Sequence, residues 1–148
     1  MKHNYFNLTI PALKENVSLV RVVVASFAAQ KDLTLPELDD IKVAVSEAVT
    51  NSIVHGYGSS PGEIKINGYF TDEGLYIEVI DYGKGIERDK IQEKLILDPE
   101  DEHPGLGFIF MQSLMDRVEI IPGERGTKVV LFKRILKENT GGAFVFLQ

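Results

Sequence analysis

The chain has 148 residues, 44% hydrophobic and 26% charged, which suits a single globular domain with a core of its own. It contains no cysteine, so disulfides and thiolate metal sites are excluded. A formal net charge of −6 argues against nucleic acid as the main ligand, and no apolar run approaches the ~20 residues that span a bilayer. Met1 to Phe6 lack the apolar stretch of a signal peptide, so a cytoplasmic protein with no membrane association is expected.

Phe6 to Ile10 alternates and predicts a strand stopped by Pro11. From about Glu15 to Gln30, Val17, Val20, Val24 and Phe27 recur at helical spacing. A second helix opens at Thr34, which forms a T-x-x-E capping box with Glu37 and tolerates Pro36 in its first turn. Leu38, Ile41, Val45, Ala48, Val49 and Ser52 form its inner stripe. His55-Gly56-Tyr57-Gly58 ends it, with glycine supplying a left-handed cap. Glu63 to Phe70 and Leu75 to Ile80 read as strands around the turn Thr71 to Gly74. A short helix is expected over 87–97 and a mobile acidic loop over 97–104. Leu106 to Met115 reads as a helix, and Val118 to Ile121 and Thr127 to Phe132 as strands. This order predicts an α+β fold, a two-layer α/β sandwich whose sheet is mixed and mostly antiparallel. Residues 1–136 form the expected domain; 137–148 are a tail with no readable structure.

Three short motifs carry the chemistry. Glu47 and Asn51 are one helical turn apart and share a face, a row that His55 continues. An amide oxygen suits Mg²⁺, and a carboxylate one turn away can serve as general base toward a hydroxyl or a water. Alone, such a pair is also an ordinary solvated face. Asp81 closes a strand and precedes Gly83 and Gly85. Its carboxylate can accept the exocyclic amine of adenine, while the glycines let backbone approach a flat base. Gly105-Leu106-Gly107 opens a helix, where free N–H groups favour an anion. Gly126-Thr127 opens the last strand; a hairpin turn is the simpler reading, and a threonine hydroxyl there can also reach a nucleotide. In this order the motifs describe a nucleotide pocket with a lid between the second and third.

At these residues the chain resembles the GHKL ATPase superfamily of gyrase, histidine kinases and the DNA repair protein MutL. Glu47 and Asn51 match its N box, Asp81 to Gly85 its first glycine box, and Gly105 to Gly107 its second. Arg21 to Phe27, Ile41 to Tyr57 and Gly105 to Asp116 are most similar to the anti-sigma factor serine kinases of sporulation and general stress. The resemblance covers about residues 5–135 and implies a Bergerat-type ATP-binding fold. It further implies a homodimer that binds a sigma factor and uses Mg-ATP to phosphorylate a serine of an anti-anti-sigma protein. By position, Glu47 is then the general base and Asn51 the Mg²⁺ ligand. Asp81 reads adenine, Gly105 and Gly107 line the phosphates of ATP or ADP, and Arg21 anchors a protein partner. One departure stands out: His103-Pro104 occupies the place of an Arg-Ser pair just before the second glycine box. It motivates an alternative, a nucleotide-dependent binding module without efficient transfer.

Overall fold

The computed structural model describes residues 3–58, 60–84 and 106–135. Five strands form one sheet: β1 (Tyr5–Pro11), β2 (Glu63–Phe70), β3 (Gly74–Asp81), β4 (Arg117–Pro122) and β5 (Thr127–Arg134). Three α-helices, α1 (Asn16–Ala28), α2 (Leu35–Asn51) and α3 (Leu106–Leu114), cover one face. The strand order is β1-β2-β3-β5-β4, and every described ladder is antiparallel. The parallel pairing that a mixed sheet implies is not found among the described strands. β4, reached through α3, does run in the direction of β3, but the β4–β5 hairpin turns back and places β5 between them. The α+β two-layer architecture is as the sequence predicts.

Alternation along the strands decides which face is covered. Ile64, Ile66, Phe70, Leu75, Ile77, Val79, Val129 and Leu131 are buried beneath the helices, whereas their neighbours Lys65, Asn67, Glu78 and Lys128 line the open face. α2 lies over β3 and β5, with α1 on its β2 side and α3 on its β4 side. Ile41, Ala44, Val45, Ala48 and Val49 point from α2 into this core, joined by Phe108 and Met111 of α3 and by Met115 just after it. Pro11 ends β1 as a paired residue on an edge strand, where its missing N–H is tolerated.

α2 begins as its sequence predicts. The Thr34 side chain accepts the Glu37 N–H at 3.2 Å and the Glu37 carboxylate accepts the Thr34 N–H at 3.0 Å. Its end differs from expectation. Ser52–Gly56 form a wide π-type turn, closed by the Tyr57 N–H on the Ser52 carbonyl at 3.1 Å. The four-residue spacing that relates Glu47 to Asn51 therefore does not carry over to His55. Gly58, with φ +58°, then supplies the left-handed residue. Gly85, Gly105, the expected helix at 87–97, the acidic loop and the tail lie outside the described residues. Among the described residues, no helix is long and apolar enough to cross a membrane.

Candidate functional site

The described residues of the three motifs, spread along the sequence from Glu47 to Gly107, converge at one end of the helical layer. Glu47 and Asn51, both half-buried, project from the last turns of α2. Leu106 begins α3, and the buried Gly107 in its first turn sits directly against them. A Cβ on Gly107 would lie 3.0 Å from the Asn51 amide nitrogen and 3.1 Å from a Glu47 carboxylate oxygen. A side chain there would press on the polar row, and Glu47 and Asn51 would have to give by a few tenths of an ångström.

The second part is the end of β3. Asp81 is 4% exposed, a carboxylate taken almost wholly out of water. Burial raises its pKa from the ordinary value, opposed by hydrogen bonds from the backbone of Gly83, the Ser52 hydroxyl and the backbone of Thr127. The Gly83 N–H donates to Asp81 Oδ1 at 3.1 Å. Thr127, also buried, stands opposite Asp81 in the β3–β5 register. Gly126 reaches that position with φ +82°, and a Cβ on it would collide with the Asp81 carbonyl oxygen.

Backbone-to-backbone packing joins the two parts. A Cβ on Gly56 would lie 2.9 Å from Asp81 Oδ1, and a Cβ on Gly83 would strike the Gly56 carbonyl. That carbonyl accepts the Lys84 N–H at 2.6 Å. The wide turn after Asn51 is thus docked on the turn after Asp81, glycine against glycine.

The histidine kinase-like ATPase domain family matches residues 10–133. The anti-sigma F factor of Clostridium acetobutylicum is 44% identical over 137 residues, which are 90% of this chain and 96% of that one. The chain belongs to the anti-sigma F factor family, built on a histidine kinase-like ATPase domain. The anti-sigma F factor of a Thermoanaerobacter strain is 46% identical over 136 residues, covering 89% of this chain and 94% of its own. Among solved structures, the RsbU and RsbW domains of a Mycobacterium tuberculosis protein superpose with a TM-score of 0.65 at 21% identity, over 89% of this chain. This chain spans only 32% of that one, and the likeness speaks to the fold alone.

Within this anti-sigma F family member, Glu47, Asn51, Asp81, Gly83, Gly107 and Thr127 gather at one end of the fold, whereas Arg21 is exposed on α1, on the side of α2 away from α3. The donor set fits an adenine nucleotide. Asp81 offers an acceptor in a dry setting, and the Asn51 amide lies beside the start of α3. No cluster of three or more His, Cys, Asp or Glu that could hold a metal occurs among the described residues, and the Asn51 amide oxygen is of the ligand type that Mg²⁺ takes. Sequence reasoning missed Ser52, Gly56 and Tyr57 as parts of the site. Ser52 reads there as a core-facing position, and the other two as a helix stop. Their signal is faint: Ser52 and Gly56 are small residues soon after an N box, and nothing local marks Tyr57.

Proposed function

We propose that this protein is an anti-sigma factor that holds a sigma factor and uses Mg-ATP to phosphorylate a serine of an anti-anti-sigma protein. Its family membership supports the first half. The observation that carries the second is the contact of Gly107 with Glu47 and Asn51, which brings a helix start suited to phosphate onto a carboxylate and an amide.

In this reading Asp81 accepts the adenine amine, and Gly83 and Gly85 allow the base to lie against backbone. Asn51 holds Mg²⁺, which when bound offsets charge on the phosphates. Gly105, Leu106 and Gly107 would offer backbone N–H groups to those phosphates, and the Thr127 hydroxyl, on the strand beside Asp81, would reach the nucleotide nearer its base. Glu47 takes the proton of the acceptor serine as its oxygen bonds to the terminal phosphorus and the bond to ADP breaks. Arg21, exposed on α1, provides a forked cation for a protein partner, apart from the nucleotide motifs. A cytoplasmic homodimer is the expected form. His103-Pro104 favours a second reading, in which nucleotide controls partner binding and transfer is slow, because a histidine lacks the permanent forked cation of an arginine.

Single-turnover transfer from labelled ATP to an anti-anti-sigma protein tests the first reading. Glu47→Gln is expected to keep nucleotide affinity and to lose about 10²–10⁴ in transfer rate. Transfer at the wild-type rate by this variant would refute the base assignment.

A further inference from the structure

Beside the Ser52 hydroxyl on Asp81, Tyr57 makes a second side-chain connection between the two halves of the site. The β2–β3 register ends at Ile64 and Asp81, and Glu63 and Tyr82 are the next opposed residues. The Tyr57 hydroxyl stands between these two. It accepts the Tyr82 N–H at 2.8 Å and donates its proton to the Glu63 carbonyl. The hydroxyl takes one backbone group from each strand, so the ladder ends in a side-chain bridge instead of another backbone pair.

The ring cannot drift from this place. It packs on Gly62, where any Cβ would overlap its edge. Its own backbone is fastened at both groups, the N–H to the Ser52 carbonyl at 3.1 Å and the carbonyl to the Ser60 N–H at 2.9 Å. The Tyr82 N–H belongs to the peptide plane that directly follows Asp81. Holding it sets the plane from which the Asp81 side chain departs and from which the chain runs to Gly83, whose N–H meets Asp81 Oδ1 at 3.1 Å. The same residue caps the turn that follows Asn51.

We propose that Tyr57 is a positioning residue for base recognition, whose hydroxyl fixes the Asp81–Tyr82 peptide and so aims the Asp81 carboxylate. This rests on the reading of Asp81 as the adenine acceptor. Tyr57 touches no nucleotide in this account. It acts through Tyr82, and ties the strand end that reads the base to the helix end that carries Glu47 and Asn51.

The test is calorimetric titration of the full chain and of Tyr57→Phe with Mg-ADP and with Mg-IDP, which replaces the adenine amine by a carbonyl. Tyr57→Phe retains the ring on Gly62 and removes only the bridge. ADP affinity is expected to fall about tenfold, with IDP affinity little changed, so the ADP-to-IDP ratio shrinks by a similar factor. A variant with wild-type ADP affinity and ratio overturns the proposal. So does an equal loss of both nucleotides, which marks a merely structural role. If the wild type itself does not prefer ADP to IDP, the reading of Asp81 fails and takes this proposal with it, a result visible without the variant. Should Tyr57→Phe not fold, Gly62→Ala displaces the ring instead. An unchanged ADP-to-IDP ratio there overturns the proposal, and a reduced one supports it.

Discussion

At one end of the β2–β3 pair Phe70 stands opposite Leu75, and at the other Asp81 stands opposite Ile64. The Phe70 end is built from rings. Phe70 stacks on Phe27 at 4.6 Å between centroids, and Phe6 meets Phe27 edge-on at 4.9 Å. The Asp81 end has close glycine contacts and the Tyr57 bridge in place of stacked phenylalanines, and a desolvated carboxylate in place of an apolar side chain. Where Gly56 meets Gly83 the backbones touch without an intervening side chain, which forfeits apolar burial and leaves polar groups at close quarters. The contrast separates two tasks within one sheet: the aromatic end holds the layers together, and the polar end is shaped for a ligand.

The largest effect should come from breaking the aromatic end. Phe70→Ala is expected to cost about 3–5 kcal/mol of stability, read by urea or thermal unfolding. The protein that remains folded should bind ADP with an affinity close to wild type. A large affinity loss with little loss of stability would show that the two ends are not separable.

Much of the aromatic end and of the frame around it is legible in the sequence. Alternation in Glu63 to Phe70 and helical spacing of Val20, Val24 and Phe27 are local patterns, and burial follows them. The Thr34–Glu37 box needs only three residues of separation, and both of its bonds form. The polar end is legible only in part. Glu47, Asn51, Asp81 and Gly107 show themselves as motif residues, yet nothing local says that Gly107 touches Glu47. The wide turn at Ser52–Gly56 has no signature in side-chain spacing, because it depends on Gly56 docking against Asp81 and Gly83. Tyr57 escapes notice for the same reason: its partner Tyr82 is 25 residues away.

An intermediate effect is expected from crowding the contact between the helices. Gly107→Ala places a methyl 3.0 Å from the Asn51 amide and 3.1 Å from Glu47, so those side chains must move by a few tenths of an ångström. Alanine's better helix propensity, worth up to ~1 kcal/mol, offsets part of that crowding. Stability should therefore change by less than about 1 kcal/mol, while Mg-ATP affinity falls about tenfold, or ~1.4 kcal/mol. Equal affinity in titration calorimetry would remove Gly107 from the phosphate end.

A smaller effect concerns pH. Burial raises the folded-state pKa of Asp81, so the folded protein holds that proton more tightly than the unfolded chain. Asp81 thus favours the fold at pH below its unfolded value, and this contribution is lost as pH rises through the raised folded value. In Asp81→Asn the amide oxygen can still accept from Gly83, and no charge is buried. Relative to wild type the variant should gain stability as pH rises across that window and be at least as stable at pH 7. Denaturant unfolding from pH 4 to 8 measures this. A variant that is less stable at pH 7 would mean that the carboxylate is part of the frame and not set apart for a ligand.

The claim that the polar end reads adenine is tested most directly by titrating Mg-ADP and Mg-GDP into the wild type and into Asp81→Asn. Adenine presents an amine where guanine presents a carbonyl, and a buried carboxylate accepts only from the first. The account predicts tight ADP binding and little GDP binding by the wild type, and loss of ADP binding by a variant that remains folded. Equal binding of GDP and ADP, or wild-type ADP affinity in Asp81→Asn, would contradict it.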